Sequence, residues 1–162
     1  MAGKIDARLD ELGITLPEPV APVAAYVPFV QTGNLVFVSG QVPIGPNGTM
    51  TGHLTQADHA QDGVAGEALT NAIAAARLCA LNVLAHVKTA TGDLDRVKRV
   101  VKLTGFVNCD GTFTQHPQVI NGASELMGQI FGDAGQHARA AVGSSSLPLG
   151  VVVEVEGIFE VE

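Results

Sequence analysis

The residues of this chain best suited to chemistry lie in its last quarter. Arg139 is the only Lys or Arg after Lys102, and it stands in Ala138-Arg139-Ala140-Ala141-Val142, a small apolar run with the character of a β-strand. Removing a guanidinium from water without a partner costs about several kcal/mol, so Arg139 needs an anion. Beyond a Ser-rich turn and Leu147-Pro148-Leu149-Gly150 comes a second strand-like run, Val151 to Phe159, carrying Glu154 and Glu156. If that strand returns alongside Arg139, an ion pair inside the sheet satisfies the cation. If it does not, Arg139 waits for an anionic ligand.

Other reactive side chains fit no recognisable pattern. Gly143-Ser144-Ser145-Ser146 lacks the GxSxG context of a nucleophilic serine and has no identifiable His partner, so it reads as a loop. His53 and His59, near Asp58, have no metal-ligand spacing and read as loop residues. Cys79 and Cys109 show neither CxxC nor zinc spacing, so no disulfide framework is indicated and a reducing compartment fits.

Composition bounds the function. The 162 residues, 46% of them apolar, suffice for one domain with a sizeable core. A formal net charge of −7 argues against a large nucleic-acid or anionic-membrane footprint. Arg96, Lys98, Arg99 and Lys102 do cluster, but on a strand-like segment with alternating faces, which reads as a solvated edge. The N-terminus shows no apolar signal region, and no window approaches about 18 uninterrupted apolar residues, so a cytoplasmic protein is expected.

The elements that must position these residues can be read in order. Ile5, Leu9 and Leu12, followed by Gly13, predict a short amphipathic helix, and the Pro17 to Pro22 link is extended. Residues 1–21 thus form an N-terminal helix and Pro-rich link, and 22–162 a single domain. Ala24–Val30 and Leu35–Gly40 flank Gln31-Thr32-Gly33-Asn34 and predict a hairpin, with Pro28 placing its first strand at an edge or bulge. A helical period from Val64 to Lys88, ended by Thr91-Gly92, marks the main helix, in which Cys79 reads as a buried thiol and His86 as a flanking polar residue. Val97–Val107 reads as a central strand, and Pro117 opens a second helix with Val119, Ile120, Ala123, Leu126, Met127 and Ile130 on one face. In the last strand Val151, Val153, Val155 and Phe159 alternate with the glutamates, so the glutamate face is left for solvent, a partner subunit or a site. The fold class is α+β, with helices on one face of a mixed sheet.

Taken together, Tyr26 eight residues before Asn34, the run Asn34 to Pro43, the Val101–Val107 strand, Ala138-Arg139, Leu147-Pro148 and Val153-Glu154-Val155-Glu156 resemble the RidA (YjgF) family of reactive-intermediate deaminases, long labelled endoribonuclease L-PSP. The resemblance implies a chorismate-mutase-like fold of the bacillary type, with two main helices on one face of the sheet. It also implies a homotrimer with clefts between subunits, and no cofactor or metal. By the same resemblance Arg139 grips a substrate carboxylate and Glu154 holds the attacking water, with Glu156 two residues away as the competing candidate. Tyr26, Ser39, Gly40 and Asn121 then line the substrate pocket.

The activity so implied is hydrolysis of reactive 2-imino acids and their enamine tautomers to 2-oxo acids and ammonia. The alternatives are a trimer that binds small carboxylates without turnover and, against the charge argument, a ribonuclease. Two departures stand out. A cysteine frequent two residues beyond the arginine is Ala141 here, and an aromatic residue common in the second helix is Ser124. With its added N-terminal helix and longer loop before Val64, the chain looks like a member of a longer subgroup.

Overall fold

The computed structural model describes residues 3–22 and 24–162. Met1, Ala2 and Val23, which fall in the expected segments 1–21 and 22–162, lie outside the described residues. Helix α1 (Lys4–Glu11) buries Ile5 and Leu9 and is followed by Gly13 at φ +65°. Its first turn is held from a distance: Asp95 accepts the Lys4 and Ile5 backbone N–H groups, each at 2.7 Å. These N–H groups have no partner inside the helix, so a remote carboxylate serves as the cap.

Strands β1 (Phe29–Thr32) and β2 (Leu35–Gln41) form the hairpin around Gly33 and Asn34. Gly33, at φ +58°, supplies the positive dihedral that a tight hairpin turn requires at its first position. The first strand is shorter than the sequence suggests. Ala24–Tyr26 is an irregular bend, and ladder bonding ends where Ser39 N–H donates to Pro28 O at 2.9 Å. The strands part there because Pro28 has no N–H to return and because β2 bulges at the same place. A two-residue pair, β3 (Ile44–Gly45) with β4 (Gly48–Thr49), leads into the loop before helix α2 (Glu67–Thr91).

Helix α2 ends at Gly92 in the left-handed conformation (φ +77°), with its N–H on Lys88 O at 2.8 Å. By length and composition it could cross a membrane, with a mean hydropathy of 1.5 over its apolar window. In this fold it is instead the core helix, packed on the sheet and on α3 (His116–Phe131). His86 is buried within it, 3% exposed, rather than flanking as the sequence suggests. Burial pushes its imidazole below the usual histidine range.

The main sheet has the order β1-β2-β7-β5-β6, with β5 (Val97–Asn108), β6 (Ala138–Ser144) and β7 (Val153–Val161). All neighbours are antiparallel except β5 and β6, which the α3 crossover makes parallel. Val153, Val155, Gly157, Phe159 and Val161 of β7 are buried towards the helices, as the alternation predicts. Close approaches set the layer spacing. A Cβ on Gly122 would overlap the Ile73 carbonyl oxygen, so α2 and α3 approach backbone to backbone there.

Candidate active site

Arg139 and Glu154 are not strand neighbours. Strand β5 lies between β6 and β7, with Leu103 opposite Arg139 on one side and Phe106 opposite Glu154 on the other. Of the two arrangements that the sequence leaves open, the glutamate strand beside Arg139 is therefore not the one found. The segment from Ser145 to Val152 includes a 3₁₀ turn and is long enough to pass over the end of β5, since skipping one strand needs only about 10 Å. The register also puts the two residues on opposite faces. Arg139 aligns with buried Leu103 on the helix side, whereas Glu154 and Glu156 alternate away from Val153 and Val155. No ion pair joins Arg139 to either glutamate among the described residues.

Arg139 is held instead by neutral acceptors on α3. One terminal nitrogen, Nη1, donates to Asn121 Oδ1 at 2.8 Å and to Ser124 Oγ at 3.1 Å, and Nη2 approaches Pro117 O at 3.5 Å. A guanidinium has five N–H donors. These contacts use the end of the fork and leave the Nε hydrogen and one Nη2 hydrogen, the pair that grips a carboxylate bidentately. The positive charge is thus fixed in place but not neutralised. Asn121 and Ser124 face Arg139 together because they are three residues apart on α3.

The anchoring continues beyond Arg139. Ser124 Oγ lies 2.9 Å from His137 Nε2, and His137 Nδ1 lies 2.7 Å from Gly135 O. Ser124, Gly128, Gly135, Gln136, His137 and Arg139 line an open depression of about 330 Å³. His137 was visible in the sequence beside Arg139, but nothing in the spacing connected it to Ser124. A turn and the end of a helix had to bring them together.

The second group of expected site residues forms at the β2 bulge. The register runs from Val38 opposite Gly157 to Gln41 opposite Val155, so Ser39 and Gly40 carry one extra residue. The Glu154 carboxyl group occupies the space where Gly40 lacks a side chain: a Cβ there would lie 2.9 Å from Glu154 Cδ and 3.2 Å from Cγ. Ser39 O–H donates to Val27 O at 2.8 Å, which ties down the chain that carries Tyr26. Tyr26 is 53% exposed on its bend rather than packed in a strand. Glu154 is half-buried, and loss of hydration, aided by the nearby Glu156 charge, raises its carboxyl above the ordinary range. Glu156 lines a depression of about 280 Å³ on the open sheet face together with Ser39, Val30, Phe37, Lys102 and Ile158.

The structure thus places the expected residues in two groups. Arg139 and Asn121 lie at the β6 edge, and Tyr26, Ser39, Gly40 and Glu154 at the β2 bulge. The histidines of the 49–63 loop are engaged elsewhere: His53 Nδ1 is 2.7 Å from Asn108 Oδ1, and His59 Nε2 accepts the Thr114 N–H. Both thiols are buried, and desolvation is the leading cause that raises each above its usual range. The basic cluster is partly tied down. Arg96 donates to Thr91 O and Glu162 O, and Lys98 pairs with Glu162.

Comparison with known proteins agrees with this architecture. Residues 6–160 match the family described as "YjgF/chorismate_mutase-like, putative endoribonuclease", so the match takes in α1 as well as the domain. Protein TCP17 of Trypanosoma cruzi is 46% identical over 161 residues, covering 98% of this chain and 95% of its own. A crystal structure from Shewanella oneidensis MR-1, described as "a putative endoribonuclease", superposes with a TM-score of 0.86 at 31% identity, covering 98% of this chain and all of the other. Escherichia coli TdcF, solved with bound serine, gives a TM-score of 0.60 at 26% identity over 91% of this chain and 96% of its own. With the mixed sheet, the helix layer and the bulged β2 strand already in place, these matches show that the chain belongs to the YjgF/chorismate-mutase-like family.

Proposed function

We propose that this protein hydrolyses 2-imino acids, and their enamine tautomers, to 2-oxo acids and ammonia in a cleft between two subunits of a homotrimer. The observation that carries this reading is Arg139: a guanidinium fixed by neutral acceptors, with no ion pair among the described residues and its bidentate edge unspent. A small carboxylate is the ligand that edge fits. The serine bound to TdcF shows a relative holding a molecule with such a carboxylate.

The chemistry asks for little beyond placement. Water adds to C2 of the protonated imine, the resulting aminol loses ammonia, and the 2-oxo acid remains. Glu154, with its raised proton affinity, holds the water and takes its proton during attack, then returns a proton to the departing nitrogen. Asn121 holds Arg139, while Tyr26, Ser39 and Gly40 shape the opposite wall. Because Arg139 and Glu154 of one chain face opposite sides of the sheet, a cleft containing both takes Arg139 from one subunit and the β2 bulge from the next. The open sheet face supports such an assembly: it exposes Val30 and Phe37, at 53% and 41%, in register with Ile158.

The test is ammonia release from a 2-imino acid generated in situ by an amino-acid oxidase. Wild type accelerates release and Arg139→Ala does not; equal rates for the two would defeat the proposal. A trimer that binds carboxylates without turnover would show Arg139-dependent thermal stabilisation by 2-oxobutanoate with no acceleration. The ribonuclease reading has the family description in its favour, but net charge −7 and a partly neutralised basic cluster weigh against it.

A further inference from the structure

The hydrogen bonds around Arg139 run in one direction. Gly135 O has no hydrogen, so His137 Nδ1, 2.7 Å away, must carry one. In the neutral ring Nε2 is then bare and accepts the Ser124 O–H at 2.9 Å. The single Ser124 hydrogen is spent on His137, which turns the oxygen lone pairs towards Arg139 Nη1 at 3.1 Å. The chain reads Arg139 to Ser124 to His137 to Gly135 O. A proton on Nε2 would reverse its middle link: Ser124 Oγ would accept from both cations and release its own hydrogen into the depression.

We propose that Ser124 and His137 are positioning residues for the anion-binding Arg139, and that they couple carboxylate binding there to protonation of His137. The inference rests on the carboxylate reading of Arg139 given above. The neutral relay holds the guanidinium with its bidentate edge outwards. An arriving carboxylate offsets the Arg139 charge, so a second positive charge on His137, one hydroxyl away, becomes easier to accommodate. By linkage, protonated His137 favours the bound anion by the same factor.

The charges around His137 include Lys102 of β5, the register partner of the adjacent Ala138. Of the residues lining the depression, His137 and Arg139 are the titratable or charged ones, and Ser124, Gly128, Gly135 and Gln136 are neutral. Glu125 on α3 and Asp133 on the adjoining turn are exposed and make no hydrogen bond or ion pair to His137 among the described residues. Towards α1, Arg8 and Glu11 pair with each other, and Arg77 of α2 donates to Gln129 Oε1.

The experiment pairs a ligand-free arm with a binding arm. In the free protein above pH 8, nitrogen NMR of the imidazole should show His137 protonated at Nδ1 and bare at Nε2. The opposite tautomer overturns the proposal. In the binding arm, 2-oxobutanoate is titrated calorimetrically in buffers of different ionisation enthalpy at several pH values between about 5 and 8, where imidazoles change charge.

Wild type should take up protons on binding. Ser124→Ala and His137→Ala should bind about tenfold more weakly, the scale of one hydrogen bond to a charged group. Ser124→Thr should restore affinity with proton uptake. His137→Gln, which keeps an acceptor near the Nε2 position, should bind within about twofold of wild type with no proton uptake. Binding by wild type with uptake unchanged in His137→Gln overturns the coupling alone. If wild type does not bind 2-oxobutanoate, the carboxylate reading of Arg139 falls and the coupling falls with it, a result distinct from binding without uptake.

Discussion

Gly40 stands against the carboxyl group of Glu154, and a Cβ at that position would come within 2.9 Å of Glu154 Cδ. The missing side chain is what lets the acid lie in the β2 bulge. Gly40→Ala should leave the chain folded, because the obstructing atoms belong to a side chain that can rotate away. The acid would no longer lie where water must be held. The expected outcome is a drop in kcat for imine hydrolysis of about a hundredfold, the smaller end of what a misplaced base costs, with near-native circular dichroism. Unchanged kcat would remove Glu154 from the reaction.

Glu154 also predicts an opposition between stability and function. Its carboxyl group titrates above the ordinary range, so between the ordinary and the raised pKa the native state binds more protons than the unfolded one. Stability therefore falls as pH rises through that window, and at pH 7 the wild type carries the cost of a partly desolvated charge. Glu154→Gln should melt at a higher temperature than wild type at pH 7. The gap should close as pH falls below the unperturbed carboxylate value, where both forms are neutral. Differential scanning calorimetry at several pH values checks the sign, and the same variant should be inactive on imines.

If each cleft draws Arg139 from one chain and Glu154 from its neighbour, two dead variants should rescue one another. Arg139→Ala and Glu154→Gln, unfolded together and reassembled at equal ratio, should recover activity in about a quarter of the sites by random assortment. Each variant alone should remain inactive. No recovery in mixed trimers, verified by mass spectrometry, would place both residues in the same chain's contribution.

Gly122→Ala tests the helix layer apart from the site. The new methyl group would meet the Ile73 carbonyl oxygen, a backbone atom that cannot turn aside. Overpacking of this kind costs about 1–3 kcal/mol, so a lower denaturant midpoint with unaltered slope is expected.

A distant carboxylate, that of Asp95, caps the first turn of the N-terminal helix. Hydrogen bonds from Ile5 and Lys4 hold Asp95 below its usual range, so its contribution is present above the ordinary aspartate pKa and disappears as pH falls through the depressed value. Asp95→Ala should speed amide exchange in the first turn of α1 at neutral pH while leaving β7 protected. Equal exchange in both proteins would mean that Lys88 with Asp6, and Arg8 with Gln129 O, hold the helix unaided.

Local pattern was enough for much of this protein. The period of α2 and its Gly92 stop, Pro117 in the first turn of α3, and the valine alternation of β7 depend on neighbours in sequence, and each element formed where they placed it, within a few residues. The ordered motifs from Tyr26 to Glu156 also carried the family. Arg139 was legible as an isolated cation for the same reason: its need for an anion follows from its own charge and apolar flanks. What the sequence could not supply was which strand lies beside which. A parallel β5–β6 crossover inserted β5 between Arg139 and the glutamates, so that Asn121 and Ser124 hold the cation, while the β2 bulge decided that Glu154 would shelter against Gly40. Those are outcomes of packing between segments far apart in the chain, where strand order, register and the absence of a single Cβ determine which polar groups meet.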